Sequence, residues 1–197
     1  MDNLLNGQIG DIVSLSDFQT CAEFKSTSVD FRICRVREYN DPEDRFSIKA
    51  YELEGPNEDT PFMLVHKQVG SDCDLFVYYL DTFGELDGDS ENPYYNLFTE
   101  DQGELLERIE VLVHYDDDEE QDITWDVQDQ THGVRYEDSE GNEGVCTLAE
   151  YFTNDNNNDN NFCLIDWKGD EDDGEVEMWY GCNIKNTEVE LFCPKED

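Results

Sequence analysis

Apolar residues along this chain come in short runs rich in aromatic and β-branched side chains, each bounded by Gly, Asn, Asp or Pro. Several runs alternate with period two. Phe31 and Ile33 stand against Asp30 and Arg32, and Val176, Met178 and Tyr180 against Glu175, Glu177 and Trp179. Alternation of this kind puts one face of an extended segment on a core and the other in water, and the residue types favour strands. Strands are therefore expected over Asp11 to Leu15, Val29 to Tyr39, Phe46 to Leu53, Pro61 to His66, Asp74 to Leu80, Ile109 to Tyr115, Ile123 to Val127, Gly133 to Glu137, Phe162 to Trp167, Glu175 to Tyr180 and Glu188 to Phe192. Two stretches carry helical signals, Thr99 to Glu110 and Thr147 to Phe152. In the first, Leu105, Leu106 and Ile109 fall at helical spacing after Glu100 and Asp101, which suit a helix N-terminus. The expected fold class is mainly β, or α+β with few helices, in antiparallel sheets.

An internal repeat refines that expectation. The phrase Thr60-Pro61-Phe62-Met63-Leu64-Val65-His66-Lys67, leading into Asp74-Leu75-Phe76-Val77-Tyr78-Tyr79, has a counterpart about 100 residues on. There, Asn161-Phe162-Cys163-Leu164-Ile165-Asp166-Trp167-Lys168 leads into Glu175-Val176-Glu177-Met178-Trp179-Tyr180. Each copy reads as a hairpin: a buried strand ending in Lys, an acidic turn, then a strand ending in two aromatics. Two related β-rich halves are expected, residues 1–100 and a more acidic 101–197.

Charge changes the picture more than any motif. The 197 residues hold 51 Asp and Glu against 12 Lys and Arg, a net charge of −39. It is uneven: residues 1–67 carry 13 acids and 7 bases (net −6), and residues 68–197 carry 38 acids and 5 bases (net −33). With 37% hydrophobic residues and 12% aromatics the chain is too apolar for an acidic disordered tail, so it should fold. A surface of this sign excludes direct nucleic-acid binding, which demands Lys and Arg, and docking on an anionic leaflet. No apolar run approaches the roughly 18 residues that span a bilayer, and the first residues lack a secretion signal's basic and apolar regions, so a cytoplasmic protein is expected.

Self-repulsion at −39 costs stability, and solubility alone needs a net charge of only about 2–8 in magnitude. The charge therefore points to recognition of a basic protein surface by an adaptor or inhibitor. The densest runs, Asp116-Asp117-Asp118-Glu119-Glu120 and Asp170-Glu171-Asp172-Asp173 with Glu175, are the candidate partner-binding residues. Tyr94, Tyr95, Trp125 and Trp179 are candidate aromatic anchors, with core positions as the alternative. A second reading is a DNA mimic that occupies the site of a nuclease or restriction system. Capture of small polycations is a third.

Catalytic and metal chemistry find little support. Among 51 carboxylates some close pair is inevitable, so no acid–base pair stands out. No Gly-x-Ser-x-Gly elbow surrounds the serines, no phosphate-cradling glycine loop is present, and His114 and His132 read as edge and turn residues. The seven cysteines, Cys21, Cys34, Cys73, Cys146, Cys163, Cys182 and Cys193, include no Cys-x-x-Cys and read as reduced, mostly buried thiols. The stretch from Asp155 to Asp166 resembles a calcium loop in its oxygens, but has Asn160 where Gly is needed and Asp166 where a bidentate Glu is needed. Asp87-Gly88-Asp89-Ser90-Glu91 is weaker still. A non-enzyme without cofactor or metal is expected.

The opening phrase Ile9-Gly10-Asp11-Ile12-Val13, the aromatic-rich strands and the closing Trp179-Tyr180-Gly181 resemble the bacterial family called domain of unknown function 4178, over nearly the whole chain as two diverged copies. The resemblance implies a β-rich fold with no established activity and, as context, genes near those for membrane-stress and polyamine-related proteins. The extreme charge departs from that family, so a function tied to the charge is not implied by it.

Overall fold

The computed structural model describes residues 6–16, 28–55, 61–86, 97, 105–114, 120–153, 162–169 and 174–192. They form one antiparallel sheet of eleven strands: β1 (Ile12–Ser16), β2 (Ser28–Asn40), β3 (Ser47–Glu54), β4 (Phe62–Val69), β5 (Asp72–Leu86), β6 (Arg108–His114), β7 (Glu120–Asp138), β8 (Glu143–Phe152), β9 (Phe162–Gly169), β10 (Gly174–Ile184) and β11 (Val189–Phe192). A 3₁₀ turn, Asn186–Glu188, precedes β11. The order is β11-β1-β2-β3-β4-β5-β10-β9-β8-β7-β6, and β2 also pairs with β7. That extra pairing closes β2, β3, β4, β5, β10, β9, β8 and β7 into a ring.

Three apolar clusters follow from the two-residue alternation. One fills the ring and draws on all eight of its strands, with Tyr39, Ile48, Ala50, Met63, Val65, Phe76, Tyr78, Val134, Cys146, Leu148, Leu164 and Trp179. The others lie on the outer faces of the ring strands. Val13, Phe31, Ile33, Tyr51, Leu64, Val77 and Ile184 belong to one, and Ile109, Trp125, Tyr151, Ile165, Met178 and Tyr180 to the other. Most ring strands are thus buried on both faces, which explains runs such as Phe62-Met63-Leu64-Val65 that do not alternate in polarity.

The two segments of the sequence repeat lie on β3–β5 and β8–β10. β5 and β10 pair with each other, Tyr79 opposite Tyr180. Residue 100, where the halves were divided, lies outside the described residues.

Two expectations need correction. Thr147–Phe152 is strand, part of β8, because Leu148 faces the ring while Ala149 and Tyr151 face an outer cluster; a strand buried on both faces has the continuous apolar content of a short helix. Of the other helical candidate, Arg108 to Glu110 begin β6 and Leu105 is buried, its residues in extended pairing with Ile109 opposite Trp125. Residues 99–104 lie outside the described set. The segments around Ile123 and Gly133 are one long strand, β7, whose pairing with β8 shifts between Val127 and Asp129 and again between Thr131 and Val134. Gly133 adopts φ +68 inside that second bulge, so its glycine marks a bulge and not a turn.

Gly181 shows how tightly β5 and β10 meet. A Cβ there would stand 2.0 Å from the backbone oxygen of Val77, whereas one at Gly144 would stand 2.9 Å from the Tyr136 ring. Backbone cannot step aside but a ring can. Gly181→Ala is expected to cost about 3 kcal/mol or more in urea unfolding, and Gly144→Ala clearly less. Equal midpoints for the two variants would contradict this packing.

Candidate functional site

One cation, Arg37 of β2, is drawn inward. The pairing of β2 with β3 skips Cys34, the register shifting between Ile33 and Arg35. The bulge changes which alternate residues face the ring. Val29, Phe31 and Ile33 belong to an outer cluster, while beyond the bulge Tyr39 joins the ring interior and Arg37 is buried near it. Arg37 makes a two-pronged bond to Glu177 of β10, with Nη1 donating to Oε2 at 2.6 Å and Nη2 to Oε1 at 3.1 Å, and it also pairs with Glu52 of β3. The Tyr39 hydroxyl donates to Asp166 Oδ2 at 2.8 Å, the Trp179 indole N–H donates to Glu177 at 3.1 Å, and Lys168 Nζ lies 3.4 Å from Asp166.

Electrostatics follow from this geometry. Burial raises the Glu177 carboxyl, but the Arg37 hydrogen bond and charge, Lys168 and the Trp179 N–H together hold it below the usual range. Burial, with Asp166 second, pushes the Tyr39 hydroxyl well up. Burial and Asp166 likewise raise the Cys146 thiol, leaving it protonated and inert.

Arg35 ties β2 to the β7–β8 turn, meeting Asp138 at 2.8 Å and Glu140 at 2.7 Å. Backbone bonds reinforce the tie, with the Ser139 N–H donating to the Val36 carbonyl and the Val36 N–H to Ser139 Oγ. Asp138 is half-buried, which raises its carboxyl. Bonds from the Asn142 side chain and backbone, the Glu140 N–H and the Arg35 charge outweigh this and bring it to about 2. At the β2–β3 turn, buried Asp41 accepts from the Arg45 Nε, Nη2 and backbone N–H, and the Arg45 side chain chiefly lowers its carboxyl to about 2.

Between these two pinned turns lies an open cleft of about 610 Å³, lined by Asn40, Asp44, Arg135, Tyr136, Glu137, Glu143, Gly144 and Val145. Val145 is 62% exposed. Across its floor Glu38 pairs in register with Glu137, and Glu137 with Glu143, setting three carboxylates side by side on three strands. Like charges directly opposite one another destabilise a sheet. Glu38 has Lys49 at 3.2 Å, whereas Glu137 and Glu143 have no ion-pair partner among the described residues.

The candidate residues fall unevenly around this cleft. Asp116, Asp117, Asp118 and Glu119, and Asp170, Glu171, Asp172 and Asp173, lie outside the described residues. Glu120 opens β7, opposite His114, and Glu175 is exposed in β10, opposite Lys168. The His114–Glu120 pair and the Gly169–Gly174 pair stand at opposite ends of the β7–β10 ladder, and the cleft lies at the Gly169–Gly174 end. Trp125 and Trp179 are core residues, 0% and 2% exposed, and so cannot be surface anchors; Tyr94 and Tyr95 lie outside the described residues. Asp166, the last oxygen of the calcium-like stretch, is committed to Tyr39 inside the ring, and residues 155–161 and 87–91 lie outside the described set. Among the described residues no group of three His, Cys, Asp or Glu is placed to hold a metal ion, and no helix is long and apolar enough to cross a membrane. Among the described residues no cysteine is in a disulfide; Cys146, Cys163 and Cys182 are buried, Cys73 half-buried and Cys34 exposed.

Sequence reasoning missed two features. The cross-strand glutamates required the β2–β7 register. The His66–Cys73 pair, with Cys73 Sγ 2.9 Å from His66 Nε2, could have been found by folding the β4–β5 hairpin about Gly70, which sets Gln68 opposite Cys73 and His66 opposite Leu75.

No protein-family model, curated protein or solved structure matches the chain. The family resemblance therefore rests on its own residues. Gly10, at φ +93, donates to the Ile33 carbonyl, and Asp11 accepts from the Gln8 N–H, so the opening phrase forms the turn into β1. Trp179 and Tyr180 are core, and Gly181 is the close contact with β5.

Removing one member of a buried charge cluster strands the rest. Arg37→Met is expected to cost about 3–5 kcal/mol in urea unfolding, because Glu177 and Asp166 stay buried; a loss under about 1 kcal/mol would contradict the assigned role. Acid acts on the same groups. Glu177, Asp41 and Asp138 have folded values below their unfolded ones, so their stabilisation is complete above about pH 4.5 and is lost as pH falls toward about 2. Thermal midpoints at fixed ionic strength should fall across that window, and less steeply in Asp138→Asn.

Proposed function

We propose that this protein is a non-enzymatic adaptor or inhibitor that binds a basic protein surface, and that the contact centres on the cleft between the β2–β3 and β7–β8 turns. One observation carries the reading. Of the ten described Lys and Arg residues, eight are in ion pairs within the chain, Arg35, Arg37, Arg45, Lys49, Lys67, Arg108, Lys168 and Lys185. Most of the described positive charge is engaged at home, while Glu137 and Glu143 face each other with no ion pair among the described residues, in a cleft that Arg135 also lines. A partner's ammonium or guanidinium group placed in the cleft would relieve that repulsion, and exposed Val145 adds an apolar contact. Asp170 to Asp173, in the sequence between Gly169 and Gly174, and Asp116 to Glu120 remain candidate contact charges in this reading. The two halves are related units in this reading, and the pairing of Tyr79 with Tyr180 supports it.

Association with a lysine-rich peptide, followed by stopped flow, tests the contact. At low ionic strength Glu137→Gln/Glu143→Gln should slow association by about threefold to tenfold and flatten its salt dependence. An unchanged on-rate would remove the cleft from the contact. Spermine in place of the peptide reports polycation capture. Proteins captured from a lysate and then released by duplex DNA would favour the DNA-mimic reading over the adaptor.

A further inference from the structure

His66 and Cys73 meet across the β4–β5 hairpin, on strands that do not line the cleft. His66 is 4% exposed, so its ring is held by the packing around it. Its Nε2 faces the thiol at 2.9 Å, and the thiol is partly open to solvent. A nucleophile in hydrogen-bond reach of a base is the arrangement of an assisted thiol. Lys49 stands opposite His66 in register, and Asp74 follows Cys73. Burial lowers the imidazole and raises the thiol, and in the tautomer with Nε2 unprotonated the thiol donates to it. The other exposed described thiol, Cys34, donates to a backbone carbonyl and has no base beside it.

From this geometry we infer that Cys73 with His66 is a thiol-modification site that exchanges with small cationic disulfides. As Cys73 Sγ attacks one sulfur of the reagent, its proton passes to His66 Nε2. A new S–S bond forms, the reagent's own S–S bond breaks, and the departing sulfur takes the proton back from His66. Cys73 is oxidised to a mixed disulfide, and one reagent sulfur is reduced to a thiol. Selectivity for cations comes from the net charge of −39, which concentrates positive reagents and repels negative ones.

Cystamine, a dication, and glutathione disulfide, an anion, are the two probes, with adducts located by peptide mass mapping of the intact, native protein over time. Cys73 should acquire the cystamine adduct about tenfold faster than Cys34, and about tenfold faster than it acquires glutathione at low salt, the second ratio shrinking as salt is added. In His66→Gln the Cys73 rate should drop to that of Cys34, with Cys34 unchanged. Cys73 reacting no faster than Cys34 in the natural protein would overturn the proposal, whether or not the variant folds. A folded His66→Gln that keeps the full Cys73 rate would overturn it as well, and so would equal rates with the two probes at low salt.

Discussion

Closure of the ring depends on Arg37. On one side of the ring β5 and β10 pair along most of their length, but on the other β2 and β7 pair over only Arg37 to Asn40 and Arg135 to Asp138. Four residue pairs are a weak seam for a chain that repels itself. The guanidinium reaches from that seam to Glu177 on β10 and Glu52 on β3, and the neighbouring Tyr39 reaches Asp166 on β9. Four of the ring's strands are joined through one polar cluster, set among apolar side chains where salt screens it little.

The negative exterior follows from the same arrangement. Cations committed to these contacts are unavailable to neutralise the rest of the outside, and Glu137 on β7 and Glu143 on β8 are left without an ion pair among the described residues. Arg35 and Asp41 also hold the two turns that bound the cleft, so the elements that fix the ring also fix the spacing of Asp44, Glu137 and Glu143. Stability and surface charge are coupled through a small number of arginines.

Much of the strand content was legible because alternation and turn residues are local properties. β1, β3, β9 and β11 lie within two residues of their expected bounds. Thr147–Phe152 misled because burial on both faces erases polarity alternation. Gly133 misled because a bulge and a turn ask for the same positive φ. Little of the candidate site was legible. Arg35 and Arg37 look like a solvent face in the sequence, and only the one-residue slip at Cys34 turns that side of β2 inward. Runs of acids were easy to see, whereas Glu38 stands about a hundred residues from Glu137 and Glu143 and becomes their neighbour only in the folded sheet.

By itself the sequence determined the strand-rich class, the size of the net charge and the hairpins, since each depends on residues close together in the chain or on simple sums. Tertiary structure alone decided that the sheet closes through β2 and β7, that most described cations are paired within the chain, and that Glu38 comes to stand beside Glu137. Those outcomes depend on register between distant strands. A shift of one position moves every side chain to the opposite face, and no local pattern records it.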